Sequence, residues 1–310
     1  MRVRLRDFII TEEDFIFSVA SYDTREGIRS VLRYLPDENG GRSKEGRNFR
    51  KLDFEESYAV IKKYHQEYIK GFEVIVPEED VKEILDPNRR LMELTSEEEK
   101  IFRIFGILNE AGISESKIGI TGSFLCGLQN EFSDIDLIVY GNDWLLARDV
   151  IEKAKKSGEI SRVTEELWHQ IYEKRKAELP FEEFFVHEVR KGHRGVVDGT
   201  YFDLLYVRDW DEVDMAEFRR GEDLGYEKIT ARVTNIDFAF DSPAIYHVEH
   251  EYIDRVLSYT HTYVGQALVG EVIEARGRVE KVDKETRLIV GTTREAKGEW
   301  IKSVTLLEGV

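Results

Sequence analysis

Gly122-Ser123 stands between a short apolar run, Lys117 to Thr121, that reads as a strand, and a segment from Ser123 that reads as a helix start. Glycine lets backbone amides come close to a ligand, and a helix start offers unpaired N–H groups carrying partial positive charge. Such a turn suits a phosphate. Ten residues on, Asp134 and Asp136 flank Ile135 at the mouth of a second apolar run, Ile135 to Tyr140. In a strand, period two puts both carboxylates on one face, while Ile135 and Leu137 point into the core. Two like charges so placed need a proton, a basic side chain or a hard cation. Mg²⁺ prefers oxygen ligands and is commonly held by one or two carboxylates plus substrate phosphates. Asp203 is the only acid inside the apolar run Tyr201 to Val207, where a charge is costly unless paired or metal-bound. A Gly-Ser alone can simply start a helix, and an Asp-x-Asp alone can cap one. Together, at strand–helix–strand spacing, the functional reading outweighs the structural one.

This constellation resembles the nucleotidyltransferase superfamily that includes DNA polymerase β, with its Gly-Ser, ten residues, Asp-x-Asp, and a later strand holding one Asp. The resemblance runs from Lys117 to about Val207. The flanking regions resemble those of uncharacterised archaeal nucleotidyltransferases. The resemblance implies that Gly122 and Ser123 hold the β- and γ-phosphates of a nucleoside triphosphate, and that Asp134 and Asp136 bridge two Mg²⁺ ions. Asp203 would complete the metal site beside the attacking hydroxyl and help its deprotonation. The products would be a nucleotidylated acceptor and pyrophosphate. An RNA acceptor, tRNA-like, is expected first, because both flanks look β-rich and carry Arg/Lys loops; a protein or small molecule is the alternative. A non-catalytic nucleotide- or RNA-binding protein on the same scaffold is the competing reading. The long segment between Tyr140 and Tyr201 departs from the shortest members of the family, which bears on Asp203 more than on the first pair.

Just before the Asp203 strand lie Arg190, Lys191, His193 and Arg194. Such cations suit phosphate oxygens, so Lys191 and Arg194 are candidate nucleotide-binding residues. Gly192 and Gly195 among them predict a mobile loop. His247 and His250 match no strong metal signature and read, with His261, as ordinary surface or barrel histidines.

These residues need elements to position them. In the N-terminal part, Val3 to Leu5, Phe8 to Ile10, Phe15 to Tyr22 and Ile28 to Leu35 read as strands, and 37–47 as a Gly-rich charged loop. A helix is predicted from Phe54 to Ile69, and another from Pro77 to Leu85, ended by Asp86-Pro87. Ser96-Glu97-Glu98-Glu99 matches a capping box and predicts a helix start, with Gly112 ending that helix. Helices are predicted at Trp144 to Lys156, Glu165 to Ala177 and Phe181 to Val189. Beyond Tyr226, strands are expected at Ile229 to Val233, Asp237 to Phe240, Ala244 to Val248, Val264 to Ala275 and Trp300 to Leu307. A hairpin is expected around Asp283 to Thr286. The expected fold is α+β: a central mixed sheet with helices (95–222), flanked by an N-terminal α+β domain (1–94) and a C-terminal small β-barrel-like domain (223–310).

Composition narrows the field. The 310 residues carry 45 Lys plus Arg against 62 Asp plus Glu, a formal net charge of −17. That balance argues against sequence-blind nucleic-acid binding by the whole surface, though not against a local basic groove. The cations from Arg276 to Lys302, and those from Arg42 to Lys51, are interleaved with acids and read as salt-bridged surface. One cysteine, Cys126, excludes an intramolecular disulfide and a Cys-based zinc site. No apolar run approaches the roughly 20 residues that span a bilayer, so a cytoplasmic protein without membrane partners is expected. Many charges with few glutamines fit a heat-adapted protein.

Overall fold

The computed structural model describes residues 2–71, 73–213, 220–292 and 296–309. The chain forms two compact units: Met1–Arg162 with His193–Ala216, and Val163–Gly192 with Glu217–Val310.

The first unit opens with an antiparallel meander, β1 (Phe8–Thr11), β2 (Ile16–Val19) and β3 (Ile28–Pro36). Along β3, Ile28, Ser30, Leu32 and Tyr34 are buried and their neighbours are not, the alternation of a strand with one covered face. The hairpin β4 (Arg42–Lys44) and β5 (Arg47–Lys51) extends this sheet from β3. Helix α1 (Phe54–Tyr64) starts at a capping box: Asp53 accepts from the Glu56 amide and Glu56 from the Asp53 amide. Then come β6 (Ile69–Lys70), β7 (Glu73–Val76) and β8 (Val81–Leu85), which pairs with β1. Ile9, Phe17, Ile28, Leu32, Ile61 and Val76 form the core here.

Next are α2 (Pro87–Glu97), α3 (Glu99–Glu110), β9 (Ile118–Thr121), α4 (Gly122–Cys126), β10 (Ile135–Tyr140) and α5 (Asp143–Ser157). Helices α6 (Glu165–Arg175) and α7 (Phe181–Lys191) belong to the second unit. The first unit resumes with β11 (Arg194–Val197), β12 (Thr200–Val207) and α8 (Trp210–Val213). Its central sheet runs β11–β12–β10–β9; β10 and β12 are parallel and the outer pairings antiparallel. Ile118, Ile120, Ile135, Leu137, Phe202 and Leu204 are fully buried in it.

In the second unit, β13 (Glu222–Asn235), β14 (Ala244–Glu249), β15 (Arg255–Ser258), β16 (Val272–Val282) and β17 (Glu285–Val290) pair in the circuit β13–β14–β15–β17–β16–β13. The circuit closes a five-stranded barrel. β18 (Trp300–Ser303) adds to β16, and α9 (Val304–Glu308) follows. Closure removes the free edges that open sheets must protect. Ile229, Ala231, Tyr246, Val256, Ile273 and Leu288 fill the barrel, and Trp168 and Phe184 of α6 and α7 share this core. These two helices fall within the span expected as 95–222, yet they pack with the barrel. The mixed α+β character and the C-terminal barrel match expectation. Among the described residues no helix is long and apolar enough to cross a membrane.

Several local expectations need correction. Asp86-Pro87 starts a helix instead of ending one: Asp86 accepts from the Asn88 and Arg89 amides, each at 3.0 Å, and Pro87 sits at N1 where its missing N–H costs nothing. Ser96 is therefore in the last turn of α2 and donates to the Glu93 carbonyl, so it caps nothing. The helix expected from Pro77 is one 3₁₀ turn followed by β8, because pairing with β1 outweighs local preference. The strand expected at Asp237 to Phe240 is a turn, seeded by the Asn235 side chain accepting from the Asp237 amide. Gly265 and Gly270, both at positive φ, delay β16 to Val272. Val3 to Leu5 forms no strand, and the loop 37–47 contains β4.

Candidate active site

Four strands bring one residue each to a single row. Thr121 on β9 is the register partner of Asp136 on β10, Asp136 that of Asp203 on β12, and Asp203 that of Arg194 on β11. Register partners face the same side of a sheet. Asp134 lies two residues before Asp136 and is exposed, while Asp136 is half-buried and Asp203 is buried. The two carboxylates expected to act together thus lie at the mouth of β10, with the third beside them on the parallel neighbour.

Gly122 makes this packing possible. Its φ is +67°, a left-handed conformation that side chains resist, and a Cβ there would lie 2.5 Å from Asp136 Oδ2. The first backbone of α4 therefore lies directly against the Asp136 carboxylate. Ser123 follows in the first turn, and Gly127, also left-handed, ends the helix. Thr121 donates its hydroxyl to the Arg6 carbonyl at 2.6 Å, which ties the end of β9 to the N-terminal segment.

The segment between α4 and β10 is pinned from two sides. Ser133 Oγ accepts from the Asn130 amide at 2.9 Å and donates to Asn130 Oδ1 at 3.2 Å, and the Ser133 amide donates to the Asn130 carbonyl. Arg42 of β4 donates through Nη1 to the Leu128 carbonyl at 3.1 Å and to Ser133 Oγ at 3.0 Å. Lys44, from the same strand, lays its aliphatic stem 3.5 Å from where a Gly127 side chain would begin. Arg90 of α2 donates to the Phe124 carbonyl at the end of α4. Sequence reasoning assigned Arg42 to a salt-bridged surface. That reading suits Arg47, paired with Asp14, and Arg50, paired with Asp37 and Glu56, but Arg42 holds the site loop. No local signal marks it, because its partners are 86 and 91 residues away.

Asp203 is held by Arg194, with Nε 3.0 Å from Oδ2, and His193 Nε2 lies 3.3 Å from Oδ1. The stretch expected as a mobile loop is instead the end of α7 and the start of β11, with Gly192 as the left-handed helix cap. The missed signal is Asp198-Gly199. Both residues have positive φ, and they form the two-residue turn between Val197 and Thr200 that closes the β11–β12 hairpin. Lys191 lies in the second unit, fully buried, donating to Glu188 and, at 2.8 Å, to the Thr262 carbonyl. Glu188 also pairs with Arg175 at 3.0 Å.

The donor set at Asp134 and Asp136 suits a hard divalent cation: two carboxylates at a strand mouth, one of them exposed, beside amides able to face phosphate oxygens. The barrel cations follow the salt-bridged reading: Arg278 pairs with Asp223, Lys228 with Glu274 and Arg287 with Glu280. His250 accepts from the Tyr252 and Ile253 amides in a turn.

Comparison with known proteins bears on these residues directly. Residues 99–192 match the nucleotidyltransferase domain model, a span that contains Gly122, Ser123, Asp134 and Asp136 and stops before Asp203. The chain is similar to an uncharacterized protein of Methanocaldococcus jannaschii, 38% identical over 337 aligned residues that cover 97% of this chain and 99% of that one. No solved structure matches it.

Proposed function

The chain belongs to the nucleotidyltransferase superfamily, and from that premise we propose that it transfers a nucleoside monophosphate from an NTP to a hydroxyl acceptor and releases pyrophosphate. The observation that carries this is the contact of the Gly122 backbone with the Asp136 carboxylate, which puts the turn proposed to bind phosphate beside the carboxylates proposed to hold metal. Gly122 and Ser123 would receive the β- and γ-phosphates through their backbone amides. Asp134 and Asp136 would hold Mg²⁺, two ions by analogy with the family. Bound there, the metal supplies positive charge to the triphosphate and to the entering and leaving oxygens. The acceptor oxygen bonds to the α-phosphorus as the α–β anhydride bond breaks, and the hydroxyl proton leaves to a nearby base. Asp203, the third carboxylate of the site, is the proposed proton acceptor; its Oδ2 is held by Arg194. RNA is the favoured acceptor.

That Arg194 contact also supports a second reading, in which the protein binds nucleotide without turning it over, since the guanidinium already occupies Oδ2 of the base. One experiment separates the two. Labelled NTPs are incubated with Mg²⁺ and a pool of candidate RNA acceptors, and pyrophosphate and labelled acceptor are measured for wild type, Asp134→Asn and Asp136→Asn. Transfer that both variants lose supports the enzyme. Metal-dependent NTP binding without pyrophosphate from any acceptor supports the binding protein.

A further inference from the structure

Phe132 is 82% exposed, more than any other large apolar side chain among the described residues. An exposed aromatic ring is ordinary on a frayed tail, where nothing holds it. Phe132 is not so placed. It sits at the tip of the turn Asn130–Ser133, its own amide donates to Asn130 Oδ1 at 3.1 Å, and Arg42 fixes the turn from β4. The backbone is pinned and the ring is left in water, so the surface is presented and already ordered. It is also near the chemistry. Only Ser133 separates it from Asp134, so the two Cα atoms lie at most about 7 Å apart.

A fixed, solvent-facing aromatic ring beside a phosphate and metal site suits a flat, weakly polar ring joined to a phosphate. We propose that Phe132 is a stacking platform for a nucleobase, either that of the NTP or that of the terminal nucleotide of an RNA acceptor. The proposal rests on the nucleotidyltransferase reading and deepens it. A ring of this kind stacks on any base, because every base has a π-face. It therefore contributes affinity without choosing the base. Arg42, which donates to Leu128 and Ser133, and Lys44, beside Gly127, add positive charge next to the loop, which favours an anionic partner.

The test is equilibrium binding in Mg²⁺ of three probes to the full-length protein: each of the four NTPs, inorganic tripolyphosphate, and a short single-stranded oligoribonucleotide with a free 3′-hydroxyl. Wild type is compared with Phe132→Ala and Phe132→Tyr. Stacking predicts that Phe132→Ala weakens a base-bearing probe about 5- to 150-fold, the equivalent of roughly 1–3 kcal/mol per stacked base. Tripolyphosphate should bind all three proteins equally, and Phe132→Tyr should bind as wild type does. Loss confined to NTPs identifies the donor base, and loss confined to the oligonucleotide identifies the acceptor base. Unchanged affinity for both overturns the platform while leaving the nucleotidyltransferase reading intact. If wild type binds neither NTPs nor tripolyphosphate, that reading falls, and the platform falls with it unless the oligonucleotide alone binds and needs Phe132.

Discussion

Asp136 and Asp203 are register partners on parallel strands, yet the first is half-buried and the second buried. Asp203 is buried with the Arg194 guanidinium 3.0 Å away. Asp136 has the Gly122 backbone against its carboxylate, and Asp134, two residues before it, is exposed. This difference in burial gives the row a buried end and an exposed end, and the two ends respond differently to substitution.

At the exposed end, Gly122→Ala should remove function with modest damage to the fold. The new Cβ would meet Asp136 Oδ2 at 2.5 Å, and the left-handed backbone would add about 1–2 kcal/mol of strain. The melting temperature should fall by a few degrees while Mn²⁺ and NTP binding are lost. Undiminished metal-dependent nucleotide binding by the variant would show that the glycine does not shape the site.

At the buried end, Arg194→Met should destabilise the protein by about 3–5 kcal/mol, because it removes the guanidinium from a buried carboxylate. The double variant Arg194→Met with Asp203→Leu should recover most of that loss, since neither charge then remains. Urea unfolding of the two single variants and the double variant measures the coupling. Purely additive losses would mean that the pair is not the unit of stability.

Two buried groups give the stability a pH dependence of opposite sign. His187 donates from Nδ1 to the Glu183 carbonyl and accepts at Nε2 from the Ser303 amide, and burial, aided by nearby Lys191 and Arg190, lowers its pKa to about 4. The unfolded histidine binds a proton that the folded one refuses, so its contribution is full above about pH 6.5 and is lost as pH falls toward 4. Asp7 accepts from the Arg4 amide at 2.7 Å, and burial raises its pKa to about 6. Its contribution is full below about pH 4 and is lost as pH rises toward 6. Each effect amounts to about 3 kcal/mol, so they oppose one another between pH 4 and 6. Asp7→Asn keeps the acceptor and removes one limb; its stability should climb from pH 4 to 6.5 more steeply than that of wild type. Identical profiles from urea midpoints at pH 4, 5, 6 and 7 would refute this.

The sequence carried the centre of the molecule well and its periphery poorly, for identifiable reasons. β9, α4, β10 and α5 follow from local patterns: an apolar run, a Gly-Ser turn, period two around Asp134 and Asp136, and helical spacing from Trp144. β8 did not, because pairing with β1 across more than 70 residues decides its state. β11 could have been found from Asp198-Gly199, but the cations and glycines around residue 192 suggested a loop. The counter-charges were legible in principle: the partner of Lys191 is three positions away on one helix, an i,i+3 pair, and that of Arg194 faces it across the hairpin that Asp198-Gly199 closes.

Arg42 is the residue whose role only the folded chain reveals, and it makes the sharpest separation of loop order from fold. Its two hydrogen bonds lie outside every sheet and helix ladder and hold the segment that delivers Asp134. Arg42→Ala should therefore cost little in global stability, about 1 kcal/mol, while the amides from 128 to 134 exchange with solvent faster. Mn²⁺ affinity should drop about 5- to 30-fold, equivalent to roughly 1–2 kcal/mol of lost loop order. Arg42→Lys should restore part of both effects, since an ammonium can still donate to the Leu128 carbonyl and to Ser133. Hydrogen exchange is the deciding measurement, because it reads the loop whether or not a metal binds. Unchanged exchange across 128–134 in Arg42→Ala would show that Asn130 and Ser133 order the turn without help from β4.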